Sequence, residues 1–293
     1  MLNFLNGIKS LISGSSNQDH AKGINRIANT FAVLKSQNRK ALIPFITAGD
    51  PNPEMTVQLM HQLVQSGADI IELGVPFSDP MADGPTIQRS SERALKHHIS
   101  LNNVLDMVAA FRKVNADTPV VLMGYANPIE ALGYEAFSSK AKSCGVDGVL
   151  IVDYPPEESS EWVRCLEQHG IDAIFLLSPT TPQARIQQVA KMARGYIYYV
   201  SLKGVTGASH LDLQDVSDML QRLREFISIP IGVGFGIRDG ATAKAVAGLA
   251  DAVVVGSRII EEIEQSSDAE LLANVGSLLS ALRKAIDENS SNA

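Results

Sequence analysis

From Ala41 onward, short runs rich in Val, Ile and Leu alternate with longer polar stretches whose apolar residues recur every three or four positions. Eight runs can be counted: Leu42 to Thr47, Asp69 to Leu73, Pro119 to Gly124, Gly148 to Asp153, Ala173 to Ser178, Tyr196 to Ser201, Pro230 to Phe235 and Ala252 to Gly256. Their apolar residues are consecutive rather than alternating, as parallel strands covered on both faces require. Glu54 to Gln65, Tyr134 to Ser143, Glu157 to Gln168, Pro182 to Ala193 and Leu213 to Phe226 carry apolar stripes on polar faces and predict outer helices.

A weak internal repeat supports the alternation. Gly67-Ala-Asp-Ile-Ile, Gly145-Val-Asp-Gly-Val, Gly170-Ile-Asp-Ala-Ile and Gly248-Leu-Ala-Asp-Ala-Val each put a glycine just before a strand, where a left-handed residue ends a helix and turns the chain. Eight βα units in this length predict one α/β domain, a closed (β/α)8 TIM barrel over residues 24–293, rather than an open doubly wound sheet. The longest insertion, between the second and third runs, holds helical segments at Pro85 to His97 and Leu101 to Val114. Ile24, Ile27, Phe31 and Leu34 predict an extra helix capping the bottom of the barrel, and Leu271, Val275, Leu278, Leu279 and Leu282 a C-terminal one. Residues 1–23 lead into a Ser, Gly and Asn-rich linker and are expected to be a poorly ordered extension; their apolar positions are too interrupted for a signal peptide.

Composition narrows the class. With 25 Lys+Arg against 32 Asp+Glu the net charge is −7, which argues against a nucleic-acid partner. At 45% hydrophobic and 19% charged, the chain buries a large core. No apolar run approaches the roughly 20 residues that span a bilayer, so a soluble protein without membrane association is expected. Cys144 and Cys165 form no CxxC and suit helix packing in a reducing compartment, with the cytoplasm as default.

In such a barrel the loops after the strands form the active face. Glu72 places a carboxylate inside a core strand, where desolvation raises its pKa and suits a proton shuttle; an ion pair is the alternative, yet no basic residue lies in the eight runs. The loop from Gly74 to Gln88, stiffened by three prolines and two glycines, holds Asp79 and Asp83. Asp50 and Asp153 share a turn-forming context, and turn or helix-cap duty is expected of Asp50. Gly204-Val-Thr-Gly207, Gly232-Val-Gly-Phe-Gly236 and Gly256-Ser257 follow the last three strands, where backbone N–H groups cradle a phosphate ester. Nucleotide fingerprints are absent, the six histidines show no metal-ligand spacing, and no metal is expected. Lys203 is too exposed for a Schiff-base lysine.

Taken together, Pro44-Phe-Ile-Thr-Ala-Gly-Asp-Pro51, the run Glu72 to Gln88, Tyr125-Ala-Asn-Pro128, Gly204-Val-Thr-Gly-Ala208, Gly234-Phe-Gly236 and Gly256-Ser257 resemble the tryptophan synthase alpha-subunit family, in family order. Leu202 departs from the arginine some members carry. The resemblance implies reversible retro-aldol cleavage of indole-3-glycerol phosphate to indole and glyceraldehyde 3-phosphate. It assigns Glu72 as acid/base and Asp83 as acceptor for the indole N–H. It also maps Gly207, Gly236, Gly256 and Ser257 to the phosphate, and Phe45, Ile87, Met123, Tyr125, Leu150, Tyr198 and Phe235 to the indole pocket. Lys203 and Thr206 fall in a mobile loop. Asp79, Pro80 and Asn127 face a beta subunit in an α2β2 complex, and pyridoxal phosphate belongs to that partner, leaving no cofactor in this chain. The competing readings are another phosphate-binding barrel lyase or isomerase, such as indole-glycerol-phosphate synthase, and a barrel kept only as an allosteric binding subunit.

Overall fold

The computed structural model describes residues 25–201, 212–234 and 236–288; the expected extension and the positions Leu202, Lys203, Thr206, Gly207 and Phe235 lie outside them. Eight parallel strands close in sequence order: β1 (Ala41–Thr47), β2 (Ile71–Gly74), β3 (Val120–Gly124), β4 (Gly148–Ile151), β5 (Asp172–Leu177), β6 (Ile197–Val200), β7 (Ile231–Gly234) and β8 (Ala252–Val255), with β8 pairing back onto β1. All seven residues of β1 are buried, as its unbroken apolar run predicts.

The helices are α1 (Arg26–Ser36), α2 (Pro53–Gln65), α3 (Pro85–Leu95), α4 (Leu101–Arg112), α5 (Ala126–Leu132), α6 (Tyr134–Cys144), α7 (Ser160–Gln168), α8 (Gln183–Met192), α9 (Leu213–Arg224), α10 (Gly240–Ala247), α11 (Ser257–Gln265) and α12 (Leu271–Asp287). Helices α3 and α4 fill the insertion as predicted. Three others are not anticipated by the helix pattern. α5 is seven residues with a proline, and α10 is so alanine-rich that its stripe has no contrast. The Ile259, Ile260 and Ile263 stripe of α11 is readable but directly abuts the last strand. Cys144 and Cys165 are buried and free, within α6 and α7. Among the described residues no helix is long and apolar enough to cross a membrane.

Helix α1 starts where the Asn25 side chain accepts from the Ala28 N–H at 2.8 Å, a standard N-cap. Its Ile27, Phe31 and Leu34 then pack with the barrel-interior residues Ile43, Ile70, Val121, Ile174, Tyr196 and Val254. The expected bottom cap is therefore present, and burying three large side chains there stabilises the fold by several kcal/mol, at roughly 1.5–3 kcal/mol each.

The repeat proves to have two working positions. Gly67, Gly145 and Gly170 adopt φ of +101°, +88° and +64°, as expected. Gly248 does not: its φ is −67°, because Leu249 and Ala250 both hydrogen-bond back to Val246 and prolong a right-handed turn. The aspartate that follows each glycine carries a second function. Asp69, Asp147 and Asp251 accept the N–H groups of Leu42, Val120 and Ile231 at 2.8–2.9 Å, tying the start of one strand to its predecessor or neighbour. Arginines complete all three, Arg224 donating to Asp251 at 2.7 Å. Arg283 donates to Asp69 at 2.9 Å, and Arg112 and Arg26 donate to Asp147 at 2.6 and 2.8 Å. A side chain on Gly67 or Gly145 would collide with those same arginines, so glycine is needed there for space as well as for φ.

Candidate active site

Glu72 lies in β2, in register with Phe45 of β1 and Val121 of β3, and is fully buried. The Tyr196 hydroxyl donates to its Oε1 at 2.6 Å across the barrel interior, while Oε2 finds no partner among the described residues. Burial pushes the carboxyl up from 4.5 to about 7, against the opposing Tyr196 hydrogen bond. At neutral pH both protonation states are thus accessible. Among the described residues no basic side chain pairs with it, so none of them supplies the ion-pair alternative. Tyr196 is a site residue the motif reading misses, although a tyrosine hydroxyl at the edge of an apolar run is itself a signal that it needs a buried partner.

Two residues beyond Glu72 along β2, Gly74 lines a cleft together with Phe45, Thr47, Val75, Asp83, Ile87, Ser91, Met123, Gly124, Tyr125 and Val152. Five expected residues meet here: Asp83, Phe45, Ile87, Met123 and Tyr125. Leu150 and Tyr198 belong instead to the interior cluster beneath, with Met123 shared between the two. The Tyr125 hydroxyl donates to Asp83 Oδ2 at 3.1 Å and accepts from Ala82 N at 3.0 Å, and its ring stacks on Phe77 at 4.9 Å. Gln88 Nε2 donates to the Asp83 carbonyl at 2.8 Å. The stiff loop is therefore held from both sides, with its carboxylate turned toward an apolar slot; burial raises the Asp83 pKa, and the Tyr125 bond opposes it. Asp79 and Asn127 are exposed and Pro80 half-buried, with Met81 standing out at 86% exposure on the same loop.

Strands β7 and β8 end side by side, in register at Gly234 and Val254. Beyond them Gly236 has φ +73° with open space around its α-carbon, and Gly256 heads α11 without any side-chain cap. The first N–H groups of α11 and its dipole are thus presented to the top of the barrel, with Ser257 exposed beside them. A Cβ on Gly256 would lie 3.7 Å from the Phe45 side chain, so this helix end borders the wall of the cleft.

Two other strand-end carboxylates are structural. Asp153 accepts the N–H of Ala126, the first residue of α5, at 2.9 Å. Asp50 takes the turn part of its expected duty, its N–H closing on the Thr47 carbonyl at 3.2 Å, and not the cap part. The cap of α2 is Asn52, and Asp50 is fully buried in a forked pair with Arg93 at 2.6 and 2.8 Å.

Comparison with known proteins decides the family. A family model described as tryptophan synthase alpha chain matches residues 31–286. The chain belongs to the tryptophan synthase alpha chain family. It is 70% identical to the tryptophan synthase alpha chain of Nitrosomonas europaea, covering 91% of this chain and 97% of that one. It is 62% identical to that of Chromobacterium violaceum, covering 90% and 100%. The crystal structure of tryptophan synthase subunit alpha from Legionella pneumophila superposes with TM-score 0.86 at 48% identity, covering 91% and 100%. As a tryptophan synthase alpha chain it is a carbon-carbon lyase of tryptophan biosynthesis, cleaving indole-3-glycerol phosphate to indole and glyceraldehyde 3-phosphate. It acts with a beta subunit, which carries the pyridoxal phosphate.

Proposed function

We propose that the cleft binds indole-3-glycerol phosphate with its indole between Phe45, Ile87, Met123 and Tyr125, its ring N–H on Asp83, and its phosphate at Gly236, Gly256 and Ser257. Leu150 and Tyr198 support the pocket from below. Glu72 delivers a proton to indole C3, which turns the ring into an indolenine cation able to accept the electrons of the breaking bond. The bond from C3 to the glycerol carbon then breaks, its electron pair restores the aromatic ring, and the proton of that carbon's hydroxyl returns to Glu72 as the aldehyde forms. Asp83 opposes the positive charge on the indolenine nitrogen at the moment it develops. The observation that carries this reading is the pairing of a fully buried carboxyl near pKa 7, one oxygen unpartnered, with the apolar cleft that ends in Asp83.

Asp79, Pro80 and Asn127 are assigned to the beta-subunit contact of an α2β2 complex, a reading that the exposed Met81 between them supports. The cytoplasm is the compartment we assign. Gly256→Ala tests the phosphate placement, since the glycine has φ −111° and room for a methyl group at 3.7 Å from Phe45. The variant should raise KM for indole-3-glycerol phosphate about tenfold by obstructing the anion's approach to the N–H groups, with inhibition by free indole unchanged. Equal weakening of both ligands would refute the placement.

A further inference from the structure

Four charged side chains outside the cleft join the two halves of the proposed site. On α3, Arg93 forks onto Asp50 at 2.6 and 2.8 Å and sends its remaining nitrogen to Glu264 of α11 at 2.8 Å. One turn earlier, Arg89 forks onto the same Glu264 at 2.8 and 2.7 Å. Beside this network the Thr47 hydroxyl, at the end of β1, meets the Ser90 hydroxyl of α3 at 2.6 Å, and Ser90 donates onward to the Ile87 carbonyl at 2.7 Å. Three elements are thereby locked together: the turn after β1, helix α3 and helix α11.

The two helices hold opposite ends of the substrate in the reading above. α3 follows Asp83 directly and contributes Ile87 and Ser91 to the cleft, whereas α11 begins at Gly256 and Ser257. Arg93 sits eight residues into α3 and Glu264 seven residues into α11, about 10–12 Å along each axis from those starts. A fastening at the far ends of two rigid rods fixes the spacing at their near ends. Arg93 reaches all three elements, and Asp50, fully buried, holds it at one fixed point. Arginine's planar fork is what permits bidentate hold on one carboxylate and contact with another; a lysine offers a single point charge.

The geometry points to Arg93 as a positioning residue that, with Glu264, sets the distance between the indole end and the phosphate end of the active site. It rests on the substrate placement proposed above. A group that only neutralised Asp50 would affect stability alone. A spacer must instead affect the substrate that spans both ends, while leaving each half-ligand's binding intact.

The test measures cleavage by the full chain saturated with its beta subunit, together with inhibition by inorganic phosphate and by indole separately. In Glu264→Gln, which strands no buried charge, kcat/KM for indole-3-glycerol phosphate should fall about ten- to a hundredfold from misplaced reacting groups, with both inhibition constants within twofold of wild type. Arg93→Met paired with Asp50→Asn removes the buried charge and its partner together, so it should recover the melting temperature lost by Arg93→Met alone yet keep the kcat/KM defect. Recovery of kcat/KM in that double variant, or wild-type kcat/KM in Glu264→Gln, overturns the proposal. If inorganic phosphate fails to compete even in wild type, the substrate placement falls and this inference with it.

Discussion

The carboxylates at the bottom of the barrel and the two in the candidate site live by opposite rules. At the bottom, Asp69 and Asp147 each accept a strand N–H and at least one arginine, so each is tied to a strand start and neutralised by a cation. In the candidate site, Glu72 is just as buried but has one tyrosine hydroxyl and an oxygen with no partner among the described residues, and Asp83 has one side-chain donor, Tyr125. A paired buried charge holds chain segments in place and is unavailable for chemistry; an under-partnered one costs stability and is poised to exchange protons. The same residue types thus serve as fasteners at the bottom and as reactants in the candidate site, according to the donors the fold brings to them.

The sharpest break of this contrast is Glu72→Gln. Indole release should drop about a thousandfold, the scale of general acid–base loss. Stability should move the other way. The folded pKa is raised from 4.5 to about 7, so the stabilising contribution of the protonated carboxyl is complete below pH 4.5 and lost as pH rises through 7. The glutamine variant escapes that loss, and urea unfolding should show it gaining up to about 3 kcal/mol on wild type between pH 5 and 8. A variant that is less stable than wild type at pH 8 would place Glu72 among the fasteners.

Asp147→Ala is the mirror experiment. Stranding Arg112 and the Val120 N–H should cost about 3–4 kcal/mol in urea unfolding, while kcat of the folded enzyme stays within twofold. A large kcat defect at full folding would erase the distinction between the two groups. Asp83→Asn keeps an acceptor for an N–H but removes the charge, so kcat/KM should fall about a hundredfold with the unfolding midpoint little changed; stopped assays of indole release against circular dichroism separate these.

The smallest effect tests an exception. Asp172 sits at the bottom but has Asn25, not an arginine, as its hydrogen-bond partner, at 3.2 Å to each oxygen. Burial raises its pKa from 3.8 to about 6, helped by nearby Asp147. Its stabilising contribution is therefore present below pH 3.8 and lost as pH rises through 6. Asp172→Asn should remove that pH-dependent loss, about 2 kcal/mol between pH 4 and 7, because an amide does not titrate. Identical pH dependence in the two proteins would make Asp172 an ordinary fastener after all.

How far these assignments are legible in the chain varies with the range of the interaction. Every strand and most helices could be read from hydrophobic period, because a parallel barrel strand is buried on both faces and an outer helix on one. Glu72 stood out for the same local reason, a carboxylate among consecutive apolar residues, and the stiff loop marked Asp83 through its prolines and glycines. The glycine repeat was visible, but the bonding role of its aspartates was not, and Gly248 read like its siblings although one extra residue before its aspartate goes with a right-handed turn.

By itself, then, the sequence determined the order and kind of elements, the barrel class, and which carboxylates lie where water is scarce, since each depends on a residue and its near neighbours. Only the tertiary structure decided which of those carboxylates are paired. Tyr196 reaches Glu72 from 124 positions away, Arg283 reaches Asp69 from 214, and Arg93 adds a buried ion pair to the turn role that Asp50's neighbours suggest. A charge is defined functionally by the donors around it, and in a closed barrel those donors come from strands and helices remote in the chain, which no local pattern encodes.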